Sequence, residues 1–144
     1  MQVAAATLGV CLLILNVSDP SELEAAFATL VREGVGGLVQ SGGAFFGNRA
    51  DQLVALAARY ALPAIYTARR SVDTGGLLSY GTDFPDMYRR VGVYAGRILK
   101  GEKPGDLPVQ QPTRFFLTIN RKTADTLGLT MPLDLLVQTD EIIE

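Results

Sequence analysis

GGLLSYGTDFPDMYRRVGVYAGRILKGEKPGD, residues 75–106, decides how this chain folds. A short apolar strand at residues 77–80 runs into a polar turn, Gly81-Thr82-Asp83, that ends in an acid. A helix follows over residues 83–100 with its apolar residues on one face, and Lys100-Gly101 stops it. Glycine just past the last turn supplies the left-handed backbone on which helices end. In open α/β sheets the carboxyl end of a buried strand opens onto a crevice, so a polar turn there is a natural ligand position.

The same strand-then-helix order extends to both sides. Residues 11–17, CLLILNV, form an apolar run without alternation, the pattern of a strand covered on both faces, with Cys11 as a small core residue. The first residues, MQVAAATLGV, read as the last turns of a helix ending at Gly9. Ser18 or Asp19 caps the next helix and Pro20 fits its first turn; Leu23, Phe27, Leu30 and Val31 then recur at helical spacing up to Gly34. Residues 36–40 are a short strand, residues 41–48 (SGGAFFGN) a loop, and a helix runs from Gly47 or Asn48 to Tyr60. PAIYT at residues 63–67 is a third strand, so the fold class is α/β with a parallel sheet and right-handed crossovers. Residues 68–76 and the proline-rich residues 102–113 read as connectors. Residues 114–119 are a fifth strand, Asn120 caps a helix (RKTADTLGL), and the tail from Pro132 is a short helix or an edge strand.

At 144 residues the chain is long enough for one domain, burying roughly 70% of its unfolded surface. A net charge of −2 excludes nucleic acid as a partner, because phosphate binding needs clustered basic groups. Without histidine and with one cysteine, the chain has no Ser-His-Asp or Cys-His nucleophile system, few routes to a metal site and no internal disulfide. No glycine motif of a nucleotide-binding loop follows a strand, and no pair of carboxylates is singled out for acid-base work. The chain reads as a non-enzyme with no cofactor and no metal. No stretch reaches the ~20 apolar residues of a membrane helix, and the N-terminus lacks the layout of a signal peptide.

Candidate ligand contacts lie on the loops after the strands. Ser41 and Gly42 offer a hydroxyl and backbone N–H groups, and Phe45 offers a stacking face or fills core. Tyr66 ends a strand, and Arg69 just beyond it either grips a carboxylate in a bidentate pair or is a surface arginine. Tyr80 and Asp83 stand at the matching end of the next strand; Asp83 accepts from a ligand ammonium or only caps the following helix.

The run YRR-x-x-x-Y-x-x-x-ILKG-x-KP-x-DLPV-x-QPT at residues 88–113 closely resembles the C-terminal half of ABC-transporter substrate-binding proteins, in the family that includes aromatic-amino-acid binders. The likeness continues through LPAIYTARRSVDTGGLLSYG and the closing RKTADTLGLTMPLDLLVQTDEIIE. It implies a type I periplasmic-binding-protein-like fold: two α/β lobes joined by three crossing segments, with solute captured between them for delivery to a membrane permease. On that template residues 1–67 are second-lobe domain, residues 68–76 a crossover, residues 77–101 a strand-helix unit of the first lobe, residues 102–113 a further crossover, and residues 114–144 the return and tail. The first lobe is then largely missing, as in an excised piece or truncated gene product. The solute implied is a small organic molecule such as an amino acid. The place implied for the full-length protein is periplasmic or membrane-anchored and extracytoplasmic. Arg69 would meet a carboxylate, Asp83 an amine, and Phe45, Tyr66 and Tyr80 an apolar body. The uncovered first-lobe unit (Leu77, Leu78, Val91, Tyr94, Ile98, Leu99) is expected to fold onto the remaining lobe or to pair with a second copy as a homodimer. A stand-alone flavodoxin-like module that dimerises and binds a protein is the alternative.

Overall fold

One five-stranded sheet, ordered β1-β2-β3-β4-β5, organises the computed structural model, which describes residues 2–144. Met1, included above in the opening helical turns, lies outside the described residues. Chain order is α1 (Gln2–Thr7), α2 (Glu22–Arg32), β1 (Leu38–Val39), α3 (Ala44–Gly47), α4 (Ala50–Arg59), β2 (Ala64–Tyr66), α5 (Arg69–Asp73), β3 (Leu78–Thr82), and α6 (Phe84–Leu99). A 3₁₀ turn (Pro104–Asp106), β4 (Phe115–Asn120), α7 (Arg121–Thr126), α8 (Leu133–Val137) and β5 (Glu141–Ile143) complete it.

The core forms where α2 and α4 lay their apolar stripes on β2. Leu23, Phe27 and Leu30 from one helix meet Leu53, Val54, Leu56 and Ala57 from the other over Ala64 and Tyr66. Burying each large aliphatic side chain there contributes about 1.5–3 kcal/mol. β1, β2 and β3 run parallel, as the crossovers require. β4 instead runs antiparallel to β3, from Leu78 opposite Ile119 to Thr82 opposite Phe115. The cause is the path between them. The chain leaves the sheet at the end of β3, runs out along α6, and returns through extended residues 107–114 to the same end, where the Asp83 N–H faces the Arg114 carbonyl at 3.4 Å. A chain re-entering where it left can only run back.

The strand expected at residues 77–80 is β3, hydrogen-bonded on both sides within this sheet, with Leu77 buried and Leu78 half-buried, so this part of the unit folds onto the lobe, the first of the two outcomes expected for it. Other expectations need correction. Only α6 and its return segment stand apart, so the 77–101 unit divides at its polar turn. Residues 68–76 are not a plain connector: they hold α5, whose Ser71 and Val72 are buried. Residues 11–17 carry no regular secondary structure and join no strand ladder, and Cys11 is exposed rather than core. The tail forms both elements offered for it, α8 and then the edge strand β5 beside β4.

Two helix caps fall where the sequence puts them, Asp83 and Asn120, whereas α2 and α4 begin after Ser21 and Arg49, neither with a side-chain cap, rather than at Ser18 or Asp19 and at Gly47 or Asn48. The Asn120 side chain accepts from the Thr123 N–H at 2.9 Å and donates to the Val72 carbonyl at 3.3 Å, tying α7 to α5. Asn120→Ala removes a cap and one of the two donors to the Val72 carbonyl, which keeps the Gly75 N–H at 3.0 Å, so we expect a loss of about 1 kcal/mol in urea denaturation.

Candidate functional site

Three parallel strands end at one edge, and their following loops are held together there. Gln40, buried at the end of β1, accepts from the Thr67 N–H at 3.4 Å and donates to the neighbouring Ser41 carbonyl. β3 approaches the same threonine so closely that Gly81 leaves no room for a side chain: a Cβ there would overlap the Thr67 carbonyl oxygen and lie 2.9 Å from its carbon. Residues 41–45, 67–69 and 81–83 therefore share one edge. Sequence reading took Gln40 only as the end of a strand and Gly81 only as part of the polar turn. A polar residue closing an apolar strand was the available signal for the first, and glycine before a polar turn for the second.

The candidate side chains fare differently. Ser41 and Gly42 are exposed on the loop after β1. Phe45 is half-buried in α3, edge-to-face with Phe46 at 5.1 Å, and the Arg49 guanidinium lies 4.2 Å over its ring. Asp83 caps α6 by accepting from the Asp86 N–H at 3.1 Å, which leaves its second carboxylate oxygen outside that bond. Tyr80 is exposed and stacks on Phe115 at 5.6 Å, on the sheet face away from Tyr66.

Two candidates are engaged elsewhere in the fold. Tyr66 is 1% exposed and belongs to the helix-covered core, because alternation along β2 sends Ala64 and Tyr66 to the same face. Arg69 begins α5 and is held by Glu141 of β5 at 2.7 Å, with Asp73 at 3.7 Å, so its charge already has carboxylate partners. It fastens α5 to the far edge of the sheet.

Burial pushes the Tyr66 phenol up to about 12 from its usual 10.0. The folded chain thus holds this proton more tightly than the unfolded one. The stability so gained is whole below pH 10 and is lost as the pH climbs from 10 to about 12, by about 2–3 kcal/mol. Tyr66→Phe should flatten that decline when urea midpoints are compared at pH 8 and pH 11.

Beyond Asp83, a cavity of about 360 Å³ lies between α6 and the return segment, lined by Asp86, Met87, Val91, Tyr94, Ile98 and Leu107 among others. The Tyr94 hydroxyl donates to the Pro108 carbonyl at 2.6 Å and holds the segment against the helix. Hydrogen bonds from Arg89 and Arg90, both at 2.6 Å, hold the Asp86 carboxyl below its ordinary range. No residue of α6 is fully buried, and Val91 and Leu99 stand open. Among the described residues no group of three or more acids or cysteines is placed to hold a metal ion. Among the described residues, no helix is long and apolar enough to cross a membrane.

These features define an α/β lobe whose first three strands end at one edge, with an arm that leaves the sheet and comes back. The chain belongs to the family of ABC transporter substrate binding proteins, whose model matches residues 1–143. No curated protein sequence matches it. Among solved structures it is similar to a conserved domain protein from Vibrio cholerae (TM-score 0.88, 23% identity, 98% of this chain and 47% of that one). It is also similar to an ABC domain from Streptococcus pneumoniae in complex with L-Trp (TM-score 0.87, 25% identity, 98% and 49%). A ligand-free, open substrate binding protein with adhesive properties from Clostridium difficile shares the fold (TM-score 0.64, 17% identity, 99% and 47%). The chain thus spans about half the length of the solved relatives it matches.

Proposed function

We propose that this chain supplies one jaw of a non-catalytic solute trap that serves an ABC permease from the extracytoplasmic side. The observation that carries the reading is the single edge where the Ser41, Thr67 and Asp83 loops meet, directly beside the arm that leaves at Thr82 and returns at Arg114. Such an arm is how a lobe is tied to its opposite number, and closure about it would bury a small solute. An amino acid is the favoured class, supported by the neighbour crystallised with L-Trp. Ser41 and the backbone N–H groups at Gly42 and Gly43 would bind its polar end, Asp83 its ammonium, and Tyr80 or Phe45 an apolar body. Arg69 and Tyr66 are left out, being engaged elsewhere.

The open face of α6 would receive the opposite lobe, and in its absence the same face is offered to a second copy. With half the cleft supplied from elsewhere, solute affinity of this chain alone is expected in the millimolar range, about 4 kcal/mol of binding. A thermal-shift screen of amino acids, small carboxylates and sugars tests the class. Stabilisation by amino acids that is lost in Asp83→Ala supports the reading. Concentration-dependent dimers with no response to any solute would favour the protein-binding module instead.

A further inference from the structure

We infer that Gln40 is the positioning residue of the candidate site: its side chain stands in for the last rung between β1 and β2 and so sets the loop at Ser41 and Gly42 before any solute arrives. Its purpose rests on the solute-binding reading; its mechanism is made wholly of contacts within this chain.

The rung is missing from the main chain. Along the β1–β2 ladder the Leu38 N–H donates to the Pro63 carbonyl at 2.8 Å and the Gln40 N–H to the Ile65 carbonyl at 2.9 Å. Parallel ladders repeat evenly, so the next bond would run from the Thr67 N–H to the Gln40 main-chain carbonyl. Pairing stops one residue earlier, at Val39 opposite Ile65, and among the described residues that bond is not made. The Gln40 side-chain carbonyl takes the Thr67 N–H instead, at 3.4 Å. The main chain is thereby released from the sheet, and a side chain sets its path into Ser41.

The other end of the amide does that setting. Gln40 Nε2 donates to the Ser41 carbonyl. Turning the amide over would put N–H against N–H at Thr67 and oxygen against oxygen at Ser41, so one orientation works. The side chain is 9% exposed, and a buried polar group with both ends bonded is held by the cost of leaving either unmade. At the far end of the loop the Gly43 carbonyl accepts from the Gly47 N–H of α3 at 3.0 Å. Only Ser41 and Gly42 lie between these two anchors. On the other side of Thr67, a Cβ on Gly81 would overlap the Thr67 main chain, so any shift of Thr67 passes on to Thr82 and Asp83. One glutamine thus fixes the loops after β1 and β2 relative to each other. A loop ordered in advance spares the solute the entropy of ordering it.

NMR on the full chain tests this with two variants. Gln40→Met keeps the length but bonds to neither group, and Gln40→Glu still accepts from Thr67 but, ionised, cannot donate to Ser41. In the unaltered chain the Ser41 and Gly42 amides should be as ordered as the helices, with order parameters of about 0.8 or more. In both variants they should fall below about 0.6. Solvent exchange of the Thr67 N–H should quicken about tenfold or more in Gln40→Met and stay within about twofold in Gln40→Glu. The Ile119 amide, between β3 and β5, should keep its rate in both, which separates a local release from general loosening. The dissociation constant for L-tryptophan, read from the Thr82 and Asp83 signals, should rise about fivefold or more in both variants. Far-UV circular dichroism establishes that each variant is folded; should one fail to fold, the other decides. Mobile Ser41 and Gly42 amides in the unaltered chain overturn the inference, as does an ordered loop in either folded variant. An unaltered chain that answers to no amino acid removes the solute reading and leaves exchange and order to judge the clasp. Undiminished affinity in a variant whose loop has come loose removes the positioning role and leaves the solute reading standing.

Discussion

Gly81→Ala lowers the stability of this domain by about 3 kcal/mol or more and loosens the edge on which the candidate site depends. Overpacking at a well-packed position costs about 1–3 kcal/mol, occasionally more, when the neighbour can shift. Here the obstacle is the Thr67 main chain, which is itself fixed by β2 and by Gln40, so it cannot give way cheaply. β3 would have to move away from β2 at its carboxyl end, carrying Thr82 and Asp83 with it. Urea denaturation measures the loss, and serine at the same position should be as damaging because its Cβ occupies the same space. Were Gly81→Ala as stable as the unaltered chain, the close approach of β3 to Thr67 would be wrong.

Tyr66→Ala costs about 3–5 kcal/mol, the range for removing a large aromatic from a core. Tyr66 is among the largest side chains fully enclosed here, and its ring is so tightly set that a Cβ on Gly76 would lie 2.7 Å from it. Small domains have only about 5–15 kcal/mol in total, so this variant is expected to be largely unfolded at 37 °C. Tyr66→Phe keeps the packing and should sit within about 1 kcal/mol of the unaltered chain at pH 7. The contrast separates a core tyrosine from a ligand-contacting one: a cleft residue would lose solute affinity in Tyr66→Phe while Tyr66→Ala stayed folded.

Much of the fold was legible because local signals and tertiary demands agree in most elements. The apolar stripe of α2, the PAIYT run of β2 and the caps at Asp83 and Asn120 each state locally what the packing later requires. The failures occur where burial depends on a neighbour the sequence does not name. Residues 11–17 have the composition of a covered strand, yet coverage is supplied by adjoining strands, and none adjoins them. α5 is five residues, too short for periodicity to show. β4 is antiparallel because of where its long return path re-enters, which no pattern within residues 114–119 records.

The site divides along the same line. Loops after strand ends could be placed from the strand order alone, and Asp83 and Ser41 lie where that order puts them. Arg69 could not be judged, because its partner Glu141 is 72 positions further along the chain. Tyr66 was open to a better reading: in PAIYT, period-two alternation already sets Ala64 and Tyr66 on one face, and alanine there implies a covering helix.

Amide chemical-shift mapping during a titration with L-tryptophan, into millimolar concentration, tests the central claim most directly. If the carboxyl edge of β1, β2 and β3 is the floor of a solute cleft, the signals of Ser41, Gly42, Thr67, Thr82 and Asp83 move together and saturate along one curve. Shifts confined to the cavity beside α6, or no saturable shift with tryptophan or any other amino acid, would contradict it.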